Sequence, residues 1–217
     1  MRALLLDLYH TLATFDWSVL SSHLQRSFEL DADSLFHGFV RTRETRSVGR
    51  HGSYAGDLAA IAAACGVQRS SEHFARLARE MTELSTRHVS LYPDVLPALR
   101  EWRAAGIKLA IVSNCDHVTT DVAVALQLAN AVDAVVLSHE VGFHKPHPRI
   151  FLEALERVGC TPAEAAFVDD QAAFLDGAAA LGLRTFRIER AQAVASGEAG
   201  AHPVITELGA LSQLLLR

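Results

Sequence analysis

Leu4-Leu5-Leu6-Asp7-Leu8-Tyr9-His10-Thr11-Leu12 is the stretch whose reading decides the fold. A short apolar run stops at a carboxylate, and a small hydroxyl residue follows four positions later. An apolar run of this length, bounded by polar residues, reads as a fully buried strand. An acid at the carboxyl end of such a strand lies where open α/β sheets place their ligands. The segment therefore predicts a strand that delivers Asp7 into an active site.

Further runs of this kind recur at Leu109–Val112, Ala134–Leu137, Ala166–Val168 and Arg184–Ile188. Helical patterns at Val95–Ala104, Asp121–Leu128, Ile150–Val158 and Leu175–Leu181 lie before and between them. Strand and helix in alternation imply right-handed crossovers and a parallel sheet with helices on both faces. The stretch from Asp16 to Val89 differs. Ser18–Phe28, Asp33–Arg43, Tyr54–Cys65 and Ser71–Leu84 have helical period, with no convincing strand among them. Asp31-Ala32-Asp33-Ser34 reads as an N-cap region, and Gly52-Ser53 and Gly66 read as breakers. The expected architecture is α/β: a Rossmann-like parallel sheet core from residues 1–15 and 90–217, with an inserted α-helical cap domain at 16–89. Tyr92-Pro93-Asp94 marks the return to the core.

Composition agrees with one sizeable domain carrying an insertion: 217 residues, 50% hydrophobic, with a formal net charge of −5. That charge argues against a nucleic-acid partner, which calls for a basic surface. No stretch approaches a membrane-spanning length, and no signal-peptide pattern is present. Cys65, Cys115 and Cys160 are far apart and odd in number, which reads as reduced thiols in a cytoplasmic protein. Oligomeric state is left open.

The chemistry gathers at the strand ends. The first run ends in Asp7 and the second in Ser113-Asn114. The third leads into a loop bearing Lys145-Pro146, and the fourth ends in Asp169-Asp170. In a parallel sheet all of these converge on one edge. A carboxylate nucleophile, a hydroxyl, a lysine and an acidic pair make a site for covalent catalysis on a small anionic substrate.

The ordered set Asp7…Thr11, Ser113, Lys145, Asp169-Asp170 resembles the haloacid dehalogenase (HAD) superfamily of hydrolases, and the helical insertion resembles that family's C1-type cap. The resemblance covers essentially the whole chain, and its specificity comes from four motifs in order. It implies that Asp7 attacks the substrate to form an aspartyl ester or aspartyl phosphate. Thr11 and Ser113 would hold substrate oxygens or orient the nucleophile, and Asn114 would line the same edge. Lys145 would neutralise Asp7 and the bound anion. Asp170, with Asp169 nearby, would hold Mg²⁺, which the backbone carbonyl of Tyr9 would also contact. An oxygen-rich site of this kind suits Mg²⁺, which spreads the charge of a transferred phosphoryl group.

Two positions depart from the pattern. The family's usual second acid, two residues after the nucleophile, is here Tyr9. A phenol with an ordinary pKa of about 10 is a poor general base at neutral pH. The dehalogenase branch carries Tyr there. Four residues after Asp170, where many members have Asp or Asn, this chain has Phe174. The dehalogenase branch replaces the metal-binding acids with Ser and Asn, whereas this chain keeps Asp169-Asp170. Two such acids beside Asp7 repel a haloacid carboxylate unless a cation lies between them. The resemblance thus implies a Mg²⁺-dependent phosphatase of a small phosphorylated metabolite. The alternatives are a metal-independent 2-haloacid dehalogenase, or a catalytically weak binding or regulatory protein.

Other residues have blander readings. Arg43, Arg46 and Arg50, with Arg41 adjacent, read as a solvated basic face or else as an anion clamp. His139, His144 and His147 flank Lys145 at spacings that match no zinc ligand set. Asp116 is a helix-cap candidate, and Phe15 and Trp17 line the pocket or pack the hinge.

Overall fold

Leucines 4, 5 and 6 alternate between two cores, and that alternation organises the molecule. In the computed structural model, which describes residues 1–190 and 201–215, β1 spans Ala3–Leu6 and is wholly buried. Leu4 and Leu6 pack on one side of the sheet with Val95, Leu99 and Trp102. Ala3 and Leu5 pack on the other with Ile150, Phe151, Leu155 and Phe167. Both faces of a strand are apolar when helices cover both faces of its sheet.

After β1 the chain turns through Leu8, whose carbonyl accepts from the N–H groups of Leu12 and Ala13. It then runs along β2 (Ala13–Phe15) into four helices: α1 (Trp17–Phe28), α2 (Ala32–Ser47), α3 (Tyr54–Ala64) and α4 (Ser71–Arg87). Each begins at a side-chain cap: Asp16, Asp31, Ser53 and Ser70 accept from backbone N–H groups of the first turn. These helices enclose a core of their own, with Leu20, Leu24, Phe28, Leu58, Phe74 and Met81 among its members. The chain returns along β3 (Val89–Leu91), antiparallel to β2 with Ala13 opposite Leu91. This ribbon was not expected. Each strand has only three residues, too short for a period-2 pattern to register.

The remainder is α5 (Val95–Ala104), β4 (Lys108–Ser113), α6 (Val118–Ala125), α7 (Leu128–Ala131), β5 (Ala134–Leu137), α8 (Ser138–Val141), α9 (Pro148–Val158), β6 (Ala165–Asp169), α10 (Ala172–Ala179), β7 (Arg184–Ile188), β8 (Val204–Ile205) and α11 (Gly209–Leu215). The predicted helix over Asp121–Leu128 is in fact two, because Gln127 adopts the left-handed conformation between them. The main sheet has six strands in the order β5-β4-β1-β6-β7-β8, every neighbouring pair parallel. β1 therefore lies between β4 and β6, where the winding direction reverses. A crevice opens at such a point outside the carboxyl ends of the strands. No helix among the described residues is long and apolar enough to cross a membrane.

Candidate active site

Asp7, Ser113-Asn114 and Asp169-Asp170 follow or end three adjacent strands, so the topology alone brings them to one edge. The Asp7 N–H donates to the Val168 carbonyl at 2.9 Å, which extends the ladder one step and points the carboxylate into the crevice. Lys145 enters from the loop after α8. Its ammonium donates to Asp7 Oδ1 at 2.5 Å and to Asp169 Oδ2 at 2.7 Å, at only 1% exposure. An ion so buried persists only when paired.

Asn114 secures this lysine by its backbone. The Asn114 Nδ2 donates to the Lys145 carbonyl at 2.9 Å, and the Lys145 N–H donates to Asn114 Oδ1 at 2.6 Å. Its side-chain amide is thus spent on the loop while the residue still lines the cavities at this edge. On the far side α10 presses against the same loop: a Cβ on Gly177 would sit 2.6 Å from that of Pro146. Glycine at 177 lets the helix approach.

Asp169 is fully committed. Its Oδ2 holds Lys145, and its Oδ1 accepts from the Gln171 N–H at 2.8 Å. Asp170 is not, since its Oδ1 is buried without a hydrogen-bond partner. The hydroxyls of Thr11 and Ser113 are likewise buried and unpartnered. Buried polar atoms are almost always paired, and orphans at a crevice mark a place for a ligand or ion. One oxygen from each of Asp7, Asp169 and Asp170 lies within 4.8 Å of the others. The donor set is all carboxylate, which fits a hard divalent cation.

The electrostatics agree. Burial pushes the Asp7 carboxyl up to about 7; Lys145 opposes that shift and the Asp169 charge adds to it. Asp170 is pushed up to about 6 by burial and then by Asp169. Lys145 is raised, because the attraction of Asp7 and Asp169 outweighs its burial. Three carboxylates against one ammonium leave negative charge that a cation would neutralise.

The Tyr9 hydroxyl makes no hydrogen bond to this acidic group. It lies 3.2 Å from Thr119 Oγ1, in a cavity of about 430 Å³ between the helical insert and the core. Burial raises its pKa above the ordinary phenol value, so it stays protonated. Phe15 and Trp17 line the same cavity. The basic face of α2 divides. Arg46 is buried, donating to Asp116 at 2.8 Å, and Arg41 donates to the Ala64 carbonyl. Arg43 is exposed and lines the cavity, and it also lines a second one that reaches Asn114 and Lys145. Asp116 caps no helix: its carboxylate is taken by Arg46.

Some residues were not found from sequence. Arg190, buried just past β7, donates through Nε and Nη2 to the Thr11 carbonyl at 3.1 and 2.6 Å, and through Nη1 to both Asp94 oxygens. Following the fifth strand two residues beyond Ile188 would have reached it. Asp57 of α3 accepts from His117 Nδ1 at 2.6 Å, a contact between insert and core with no sequence signature.

Comparison with known proteins places the chain. A family model described as haloacid dehalogenase-like hydrolase matches residues 1–182. A glyceraldehyde 3-phosphate phosphatase of Methanopyrus kandleri is 39% identical over 104 residues, 46% of this chain and 43% of its own length. The match therefore spans less than half of that relative. An (S)-2-haloacid dehalogenase of a Pseudomonas species is 34% identical over 146 residues, 64% of each chain. Among solved structures, a HAD phosphatase from Thermococcus onnurineus superposes with a TM-score of 0.70 at 26% identity, covering 99% of this chain and 98% of its own.

Proposed function

The chain belongs to the haloacid dehalogenase-like hydrolases, and from that premise we propose that it is a Mg²⁺-dependent phosphatase of a small phosphorylated compound, working through an aspartyl phosphate on Asp7. The observation that carries this reading is the acidic group. Asp7, Asp169 and Asp170 converge within 4.8 Å, yet the ammonium of Lys145 is the one cation bonded to them among the described residues. A haloacid carboxylate approaching this group meets like charge; a phosphate ester arriving with a divalent cation does not.

Mg²⁺ would be held by Asp7, Asp170 and the carbonyl of Tyr9, and when bound it supplies charge neutralisation for the phosphoryl oxygens. The chain's own residues do the rest. The Asp7 carboxylate, held by Lys145, attacks phosphorus. Thr11 and Ser113, whose hydroxyls are free, donate to phosphoryl oxygens. Asp169 keeps Lys145 aimed. The helical insert acts as a cap that excludes water and shapes specificity.

A 2-haloacid dehalogenase is the second reading. Tyr9, facing an apolar cavity, and the Pseudomonas relative favour it. Release of phosphate against release of halide, each with and without EDTA, separates the two. Phosphate release that needs Mg²⁺ and disappears in Asp7→Asn supports the first reading; halide release that survives EDTA overturns it.

A further inference from the structure

The cavity beside Tyr9 is walled by apolar side chains from both the insert and the core. Phe15, Leu20, Phe39 and Met81 face Val118 and Val122 across it. Two pairs of its polar groups are spent on one another. Arg46 holds Asp116 at 2.8 Å, and the Tyr9 hydroxyl meets Thr119 at 3.2 Å. Arg43 is exposed, with neither hydrogen bond nor ion pair among the described residues, and the hydroxyls of Ser47, Tyr54 and Ser85 make no hydrogen bond there either. Trp17, Phe36 and Val40 also line the cavity and leave 43%, 62% and 54% of their surface to solvent. Large apolar surface left open around a concave site marks the place of an apolar ligand.

A second observation concerns the leaving group. The side chain beyond the nucleophile is a neutral phenol engaged with Thr119, and the carboxylate lining the cavity, Asp116, is held by Arg46. No free carboxylic acid among the cavity's described residues stands ready to protonate an ester oxygen. The reaction then favours an oxygen that can depart without a proton.

We propose that the preferred substrate is a phosphate monoester of an apolar aromatic alcohol, with its ring in this cavity and its ester oxygen departing as an aryloxide. The inference rests on the phosphatase reading and deepens it. A bond forms from an Asp7 carboxylate oxygen to phosphorus as the phosphorus–aryloxygen bond breaks. The electron pair leaves on the aryl oxygen, which later takes a proton from solvent. Water then attacks the phosphorus of the aspartyl phosphate, the aspartyl oxygen–phosphorus bond breaks, and the proton from water passes to solvent with release of inorganic phosphate. A volume of about 430 Å³ accommodates a bicyclic ring. A sugar or polyol phosphate would set most of its hydroxyls against the side chains of Phe15, Leu20, Phe39, Met81, Val118 and Val122, which cannot pair them.

The test measures kcat and KM, with Mg²⁺, for 1-naphthyl, phenyl, benzyl, glucose 6- and glycerol 3-phosphate. The expected kcat/KM for the aryl esters exceeds that of the polyol esters by about a hundredfold. KM falls from phenyl to naphthyl, and benzyl phosphate keeps a low KM while losing kcat. The variant Tyr9→Asp, which adds an acid, narrows the phenyl-to-benzyl gap in kcat. Trp17→Ser, at an exposed position, raises the KM of naphthyl phosphate about tenfold. Glucose 6- or glycerol 3-phosphate turned over as well as the aryl esters overturns the inference and leaves the phosphatase reading standing. No phosphate from any of these esters, nor from the anhydride acetyl phosphate, overturns both.

Discussion

The side-chain amide of Asn114 brackets the backbone of Lys145, donating to its carbonyl at 2.9 Å and accepting from its N–H at 2.6 Å. Two loops that are 31 residues apart in sequence are thereby locked together, and the ammonium of Lys145 is aimed at Asp7. Asn114→Ala removes both bonds and leaves the lysine loop to shift. A displacement of about 1 Å at a catalytic group lowers rate by up to about 10²-fold, so kcat/KM should fall between about ten- and a hundredfold, with a stability loss of about 1–3 kcal/mol. Asn114→Asp should not restore activity, because it sets an oxygen against the Lys145 carbonyl. Steady-state kinetics beside urea denaturation reads both effects.

Removal of Mg²⁺ should expose the charge imbalance as a pH dependence. The carboxyls of Asp7 and Asp170 are pushed up to about 7 and about 6. A carboxyl raised on folding binds its proton more tightly in the folded state, so its share of stability is present at low pH and lost as pH rises through those values. In EDTA the Tm should fall between roughly pH 5.5 and pH 8. Mg²⁺ binds the deprotonated carboxylates and should raise Tm more at the higher pH. Thermal denaturation at both pH values, with EDTA or Mg²⁺, measures this; a larger Mg²⁺ shift at the lower pH would contradict it.

Arg190 holds the two chain crossings between core and insert. It donates to the Thr11 carbonyl in the turn between β1 and β2 and to Asp94 on the return, while its guanidinium lies 4.3 Å over the Tyr92 ring. Burial pushes the Asp94 carboxyl up, but hydrogen bonds from Arg190 and the Leu208 N–H outweigh it and hold the group below the usual carboxylate range. The stability this contributes is present above a pH of about 4 and is lost as pH falls through the lower folded value. The stability gap between wild type and Asp94→Asn should therefore close as acid unfolding sets in. Arg190→Ala should lose about 2 kcal/mol at neutral pH, since charged hydrogen bonds are of that size. Urea denaturation across the acid range checks both statements.

Gly49, just past α2 of the insert, packs against the core backbone at His139. Its φ is +71°, and a Cβ there would stand 2.1 Å from the His139 carbonyl oxygen, a backbone atom that cannot swing away. Gly49→Ala should push the insert off the core and destabilise the protein by about 2–4 kcal/mol through strain and overpacking. KM should rise with it, because the cavity is lined from both sides. An unchanged KM and Tm would show that this contact does not hold the insert in place.

The strand ends were readable because a buried parallel strand leaves an apolar run with a polar stop. Ala134–Leu137 and Arg184–Ile188 are reproduced residue for residue, and Leu109–Val112 and Ala166–Val168 lengthen by one residue at each end. Periodicity failed where elements were too short to repeat, as in the β2–β3 ribbon, or where a single left-handed residue, Gln127, broke a helix. The apolar wall of the cavity was hidden for another reason. Phe39 and Met81 sit in helices whose patterns record only that one side is apolar.

The order of motifs in one dimension determined the parallel sheet, the helical insertion and the set Asp7, Ser113, Lys145 and Asp169-Asp170, because each is a local pattern of apolar run and polar stop. Tertiary structure decided what those residues do to one another. It engaged the Tyr9 hydroxyl with Thr119, spent Asn114 on the backbone of Lys145, and divided Asp169 from Asp170 by who already has a partner. Partnership of this kind depends on distances between segments far apart in the chain, which no local pattern of side chains records.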